Sequence, residues 1–325
     1  MRQRGNADAG AAPTHRHSDP LAKFTSHRRY NSAVARDLCK CQSTVDVGRR
    51  IANCSSRIGL EIQLVDGQAP EAKLTGGKLC NARLCPFCEW RRTRAWRRRF
   101  FEGLPKFHED FPTHKAIFLT LTVKNCPVNE LRTTIQEMHR GWNRMVQRRF
   151  FPSKFWFRRT EVTTMREGIS QSVVPYMHPH IHCLVLVPSS YFSHGYIKQL
   201  EWQKQWMDAM RLDYVPVVDV RRARTKSSSG GATIEQSKAA ALEASKYATK
   251  ATDLINMGSV LGTYHWQMKG LRLHASSTSL RPYIRDASID SSELVDNETV
   301  DAMETVRGKA LWFEDIQEYL FSDLL

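Results

Sequence analysis

His178-Pro179-His180-Ile181-His182-Cys183-Leu184-Val185-Leu186-Val187 reads as one β-strand whose character changes along its length. Side chains alternate between the faces of a strand, so His178, His180 and His182 share one face. Ile181, Cys183 and Val185 share the other and belong to a core. Two or three imidazoles converging from one strand face can hold a divalent cation, because neutral imidazole nitrogen is a common metal donor. The competing reading is a histidine-rich strand end whose rings satisfy backbone carbonyls, and the pattern alone does not separate the two.

Outward from this strand, residues 106–285 alternate strand-like and helix-like segments. Ala116 to Val123 alternates as a strand, with Phe118, Thr120 and Thr122 on one face. Leu131, Ile135, Met138, Trp142 and Met145 recur at helical spacing, which predicts an amphipathic helix over 129–149. Trp156 to Thr164 is again strand-like, and a turn around Gly168 leads into the histidine strand. A helix is expected over 195–211 and a short strand, interrupted by Pro216, over 214–220. Ser227-Ser228-Ser229-Gly230-Gly231 is a flexible loop, followed by an Ala-, Glu- and Lys-rich helix from Ile234 to Thr252. Helical character returns near Ala310 to Leu325, and there are no internal repeats. Strands and helices in this order predict an α+β domain built on a central antiparallel sheet with flanking helices.

The chain has 325 residues and a formal net charge of +15. Residues 1–285 hold 46 basic against 22 acidic residues, a balance of +24, whereas 286–325 hold 11 acidic residues against Arg307 and Lys309. So basic a body calls for a polyanionic partner, and phosphate backbone is the usual one. Attraction to a ribosome or membrane surface would not call for a histidine strand. No stretch approaches 18 apolar residues, and residues 1–18 lack the apolar segment of a signal peptide. A cytoplasmic protein with reduced cysteines is therefore expected, without membrane association. Clustered cysteines there favour metal ligation over disulfides. Four segments follow: a polar, disordered basic tail (1–35), a cysteine- and arginine-rich module (36–105), the alternating domain (106–285) and an acidic C-terminal segment (286–325).

Cys80-x4-Cys85-x2-Cys88 has the tight turn that lets two thiolates share one zinc, and a structural site needs four ligands. Cys54 is the nearest upstream cysteine outside the Cys39/Cys41 pair and is the expected fourth; Cys39 or Cys41 can replace it. Directly after the turn, Arg91, Arg92, Arg94, Arg97, Arg98 and Arg99 alternate with Trp90 and Trp96. Guanidinium groups around much of a short helix suit DNA phosphates, the alternative being a solvated charged face. A zinc deaminase would pair His-x-Glu with Pro-Cys-x-x-Cys; here the proline follows the first cysteine of the pair and no His-x-Glu lies upstream.

On the expected 234–252 helix, Glu243 and Tyr247 stand four apart, as do Lys246 and Lys250. A phenol with a pKa of about 10 is a poor nucleophile at neutral pH. Nearby ammonium groups or a metal-polarised phosphate would favour its attack. An ordinary amphipathic helix accounts for the same spacing.

In order along the chain come Leu79-Cys80-Asn81-Ala82-Arg83-Leu84-Cys85-Pro86-Phe87-Cys88-Glu89-Trp90-Arg91-Arg92, Phe118-Leu119-Thr120-Leu121-Thr122 and Thr160-Glu161-Val162-Thr163. His178-Pro179-His180-Ile181-His182 and Glu243-Ala244-Ser245-Lys246-Tyr247-Ala248-Thr249-Lys250 follow, with a weaker match at Lys269-Gly270-Leu271-Arg272-Leu273. Together these resemble the rolling-circle replication initiators of the HUH endonuclease superfamily, in the zinc-finger-bearing plasmid Rep group with one catalytic tyrosine. The motifs are short, but their joint order over roughly 50–285 is specific; 1–35 and 286–325 lie outside it.

The resemblance implies an HUH nicking domain over 106–285, ferredoxin/RRM-like, preceded by the zinc module. It assigns Mg²⁺ or Mn²⁺ to His180 and His182, with Glu161 from the neighbouring strand completing the site and His178 as a lesser candidate. A hard divalent ion favours such an oxygen donor. It makes Tyr247 the nucleophile on single-stranded plasmid origin DNA, leaving a 3′-OH and a 5′-phosphotyrosine. Glu243 would activate water for the terminating cleavage, and Lys246 and Lys250 would contact phosphate or the phenolate. No second tyrosine lies three or four residues after Tyr247, which argues against a two-tyrosine mechanism. Host helicase and polymerase are the implied partners. A single-stranded DNA transposase shares this chemistry, and a non-catalytic zinc-stabilised DNA-binding regulator is the alternative of a different class.

Overall fold

The histidine strand forms β6 (Tyr176–Val187), which lies in the middle of a six-stranded antiparallel sheet. The computed structural model describes residues 19–65, 68–164, 176–223, 233–245, 248–285 and 304–323. The other strands are β3 (Lys115–Thr122), β4 (Cys126–Pro127), β5 (Trp156–Thr164), β7 (Val218–Arg222) and β8 (His274–Ser276). Their order is β7-β3-β6-β5-β8, with β4 also paired to β6.

Both faces of the C-terminal half of β6 are buried, which is why Cys183 to Val187 is an unbroken apolar run. On one face Ile181, Cys183 and Val185 pack with Met138 and Trp142 of α4 (Leu131–Val146) and with Trp202 and Trp206 of α5 (Gln199–Met210). On the other, Leu184 and Leu186 pack with Phe100, Leu104 and Phe107 of α3 (Pro86–Asp110) and Ala240, Ala241 and Ala244 of α6 (Thr233–Ala244). That second face changes character along the strand. Register places Phe118, Leu184 and Phe157 in one row, Thr120, His182 and Arg159 in the next, then Thr122, His180 and Glu161. The apolar row lies under the helices, and the polar rows begin where that cover ends.

A second, four-stranded antiparallel sheet has the order β10-β9-β1-β2, from β1 (Arg57–Val65), β2 (Gln68–Gly77), β9 (Glu304–Phe313) and β10 (Glu318–Asp323). This corrects the helix expected over Ala310 to Leu325, which is a β-hairpin in its described part. Tyr319 within it donates its hydroxyl to the Ser55 carbonyl at 2.6 Å. The tail expectation for 1–35 is also corrected over its described part. Residues 1–18 lie outside the described residues, but Ala22–Cys39 form helix α1. Its buried positions Phe24, Thr25, Arg28, Asn31, Val34, Ala35 and Leu38 recur at helical spacing, although three of the seven are polar. Arg28 lies over the Trp312 ring at 5.1 Å and reaches Glu314 at 3.5 Å, so the acidic hairpin packs on basic α1.

The remaining helices are α2 (Val45–Ala52), α7 (Ala251–Asn256), α8 (Leu261–Met268) and α9 (Arg281–Arg285). At Gly103 the α9 backbone comes so close that a Cβ would stand 1.9 Å from the Tyr283 carbonyl oxygen. The helix expected over 234–252 ends at Ala244 instead. Ala248 leaves helical bonding because its carbonyl accepts from the Val162 amide at 2.8 Å, and its own amide donates to Glu89 at 3.3 Å. Tertiary bonds here override strong helix propensity. None of the described helices is long and apolar enough to cross a membrane.

Candidate metal and nucleic-acid site

Pairing of Glu161 with His180 on adjacent strands brings three donors together. Glu161 Oε2 lies 2.9 Å from His182 Nε2 and 3.3 Å from His180 Nε2, and one donor atom from each residue fits within 4.8 Å of the others. All three lie in or near the protein interior, with Glu161 only 6 % exposed. Burial alone would push the Glu161 carboxyl up, but hydrogen bonding and charge from His180 and His182 override it and hold it well below the usual carboxylate range.

The far side of each ring fixes what the near side offers. His180 Nδ1 faces the His178 carbonyl at 3.2 Å, and a carbonyl only accepts, so Nδ1 carries the hydrogen. The lone pair of a neutral His180 is then on Nε2, aimed at a carboxylate oxygen. Nε2 and the carboxylate oxygen are held together by a proton or by a cation between them, and the N,N,O donor set suits a divalent one. His182 is braced likewise, with Thr120 Oγ1 at 3.2 Å from Nδ1 and the Phe118 ring stacked on it at 5.3 Å. His178 stands outside the group: its Nδ1 pairs with Asn125 Oδ1 at 2.7 Å.

A second group joins Cys54, Cys80, Cys85 and Cys88, whose sulfurs all lie within 4.8 Å of one another. Cys88 Sγ is 3.5 Å from Cys54 Sγ and 3.8 Å from Cys80 Sγ. A tetrahedral zinc with Zn–S bonds of about 2.3 Å requires sulfurs about 3.8 Å apart, so these residues fit that ion. Backbone amides of Cys80, Ala82 and Cys88 point at sulfurs of the group at 3.4–3.5 Å, as thiolates require. Hydrogen bonds from the neighbouring thiols favour the Cys88 thiolate, whereas burial pushes Cys85 up. Cys39 and Cys41 are exposed and outside this group.

The arginine helix differs from expectation. It is α3, 25 residues long, with Cys85 as its N-cap. Phe87 and Trp90 enter the core around the cysteines, while Phe100, Leu104 and Phe107 enter the core under the sheet. Arg91 is 6 % exposed. Arg92 bonds Glu89 at 2.9 Å and the Ala82 carbonyl at 3.0 Å. Both are turned toward the protein itself, because so long a helix must bury a face. Arg94 lies over Trp90, Arg99 over Trp96, and Arg98 pairs with Glu102 at 2.6 Å. Arg97 is exposed.

Lys246 and Tyr247 lie outside the described residues. α6 ends at Ala244, so Glu243 and Lys250 do not share one helix. Glu243 sits half-buried in the last turn of α6, and Lys250 is exposed just before α7. Glu161, Ala248 and Lys250 line a mostly apolar cavity of about 380 Å³ together with Leu84, Leu254 and Tyr264. Sequence reasoning missed Glu89 and Arg159, a buried ion pair between α3 and β5. The available signal was a lone carboxylate directly after Cys88, in a run of arginines.

A family model described as "Replication protein" matches residues 71–319. Among curated relatives, a "Protein rep" from a Bacillus species is 34% identical over 212 residues, 60% of this chain and 64% of that protein. A "Protein rep" from Streptococcus pneumoniae is 29% identical over 255 residues, 76% of this chain and 74% of that one. A "Replication protein" from Staphylococcus aureus is 34% identical over 149 residues, 44% of this chain and 59% of that one. The chain thus spans a little under two thirds of the Bacillus protein. No solved structure matches.

Proposed function

The chain belongs to the replication-protein family whose model covers residues 71–319, and on that premise we propose that it initiates rolling-circle replication of a plasmid by nicking one origin strand. The observation that carries the reading is the convergence of His180 Nε2, His182 Nε2 and Glu161 Oε2 on adjacent strands of the sheet. Both rings are braced from behind. In this reading the protein is an HUH endonuclease of the single-tyrosine, zinc-bearing group, acting on DNA in the cytoplasm.

His180, His182 and Glu161 would hold Mg²⁺ or Mn²⁺, which when bound polarises the scissile phosphate and offsets charge growing on its oxygens. Tyr247 Oη attacks that phosphorus. The Oη–P bond forms as the P–O3′ bond breaks, and the proton lost by the phenol ends on the leaving O3′. The products are a 5′-phosphotyrosine and a 3′-OH able to prime synthesis by a host polymerase behind a helicase. Lys246 and Lys250, one residue before and three after Tyr247 in sequence, would neutralise phosphate or phenolate. Glu243 would take the proton from water in the terminating cleavage. Cys54, Cys80, Cys85 and Cys88 would hold Zn²⁺, fixing the first turn of α3, and Arg97 is the arginine of that helix best placed for DNA phosphate. The family match favours replication over transposition. A non-catalytic regulator would have no use for a braced N,N,O donor set.

The test uses Mn²⁺ and labelled single-stranded origin oligonucleotides on a denaturing gel. Wild type should give a covalent protein–DNA band that chelator abolishes and Tyr247→Phe lacks. Glu243→Ala should keep the band but fail to release it. Persistence of the band in Tyr247→Phe would sink the reading.

A further inference from the structure

The carboxylate of Glu89 is the meeting point of three elements. It is the fourth residue of α3, immediately after Cys88, and is only 7 % exposed. One oxygen, Oε1, receives the Arg159 guanidinium from β5 and the Ala248 amide at 3.3 Å. The other, Oε2, receives Arg92 Nε at 2.9 Å. The amide that donates belongs to the peptide bond joining Tyr247 to Ala248. The carbonyl of Ala248 is held in turn by the amide of Val162, the residue after Glu161, at 2.8 Å. Arg159 stands two residues before Glu161 on the same strand face, opposite His182.

Burying a carboxylate costs several kcal/mol unless it is paired and hydrogen-bonded. Here burial pushes the Glu89 carboxyl up, and Arg159 and Arg92 more than reverse that. An anion kept in the interior with two cations and one backbone amide is a fixed point. The first turn of α3, the metal-bearing stretch of β5 and the segment after α6 are all tied to it.

We infer that Glu89 is a positioning residue, holding the Ala248 backbone beside Glu161 and so limiting how the preceding residue, Tyr247, approaches the phosphate. This rests on the reading of Tyr247 as nucleophile. Glu89 touches neither DNA nor the divalent ion; it acts through the backbone. Misplacing a reacting group by about 1 Å costs on the order of a hundredfold in rate, which scales what the anchor is worth.

Glu89→Gln tests this. Glutamine keeps the volume but has one acceptor oxygen, and its amide group faces Arg159 and Arg92 with donors. With its oxygen in the Oε1 place it still accepts from Arg159 and Ala248 but turns its NH2 on Arg92; reversed, it loses both. Either way the uncharged group holds the arginines more weakly and the anchor loosens. The expected result is nicking slowed roughly tenfold to a hundredfold at saturating single-stranded DNA. Oligonucleotide affinity and zinc content should match wild type, and hydrogen exchange should rise in the peptide spanning 245–252. Should Glu89→Gln not fold, Glu89→Asp keeps the charge but falls one methylene short of Ala248, and it carries the same expectation. A wild-type rate with unchanged exchange at 245–252 would overturn the positioning role, and so would losses of rate and DNA affinity in equal measure. If Tyr247→Phe abolishes the adduct while Glu89→Gln nicks as fast as wild type, Glu89 has no such role and the nicking reading survives. If Tyr247→Phe keeps the adduct, the nicking reading itself fails.

Discussion

Replacing Thr120 by valine removes one brace of the metal site and little else. Thr120 Oγ1 stands 3.2 Å from His182 Nδ1, on the side of the ring away from Glu161. Valine reproduces the branched shape in the middle of β3 and is at home in a strand, so the fold should lose little. What is lost is the hydrogen bond that holds the ring's rotation, worth about 0.5–1.5 kcal/mol net. Phe118 still stacks on the ring, which limits the disorder. Partners of this kind typically carry 10- to 100-fold in metal affinity, and the surviving stack puts the loss at the lower end, about tenfold or ~1.4 kcal/mol. Two titrations check it: calorimetry of Mn²⁺ into DNA-free protein, and nicking rate against Mn²⁺ concentration. Both midpoints should rise about tenfold while the rate at saturating Mn²⁺ stays within about twofold of wild type. An unchanged midpoint would refute the bracing role of Thr120. A collapsed maximal rate with normal metal affinity would show that the hydroxyl serves DNA rather than the ion.

Cys85→Ser should abolish bound zinc and weaken folding, whereas Cys41→Ser should keep the full zinc content; elemental analysis of the purified proteins decides, and equal zinc in both would remove Cys85 from the site. Arg92→Ala takes one of three partners from Glu89 and removes the contacts to the Asn81, Ala82 and Arg83 carbonyls, so urea unfolding should show a loss of about 1–3 kcal/mol. Arg97→Ala should leave stability within about 0.5 kcal/mol and flatten the salt dependence of DNA binding by about one unit of log–log slope. The opposite assignment of the two effects would reverse the roles given to these arginines.

The sheet was legible because its strands obey period two over long stretches. Ile181, Cys183 and Val185 alternate with His180 and His182, and Trp156 to Thr164 is the span of β5. The Cys80-x4-Cys85-x2-Cys88 turn was legible from spacing, and Cys54 joins it as expected. What escaped depends on partners distant in sequence. Residues 310–323 looked helical because the hairpin they belong to is seated on β1, some 250 residues earlier. Helix α1 was hidden because Arg28 and Asn31 hold buried positions that pattern reading reserves for apolar side chains. The end of α6 was invisible because Ala, Glu and Lys favour helix locally. Among the described residues, the bonds from Ala248 to Val162 and Glu89 oppose that preference. The same blindness made the arginine run look like an outer face, when Arg91 and Arg92 serve the interior.

The central claim is that a cation held by His180, His182 and Glu161 serves attack by Tyr247 on a DNA phosphate. The most direct measurement identifies the residue that carries the DNA. Protein trapped with single-stranded origin DNA and Mn²⁺ is digested with nuclease and protease, and the modified peptide is sequenced by mass spectrometry. The expected result is a 5′-phosphonucleotide on Tyr247, absent when His180, His182 or Glu161 is replaced by alanine. A nucleotide on any other residue, or an adduct that forms undiminished in those three variants, would contradict it.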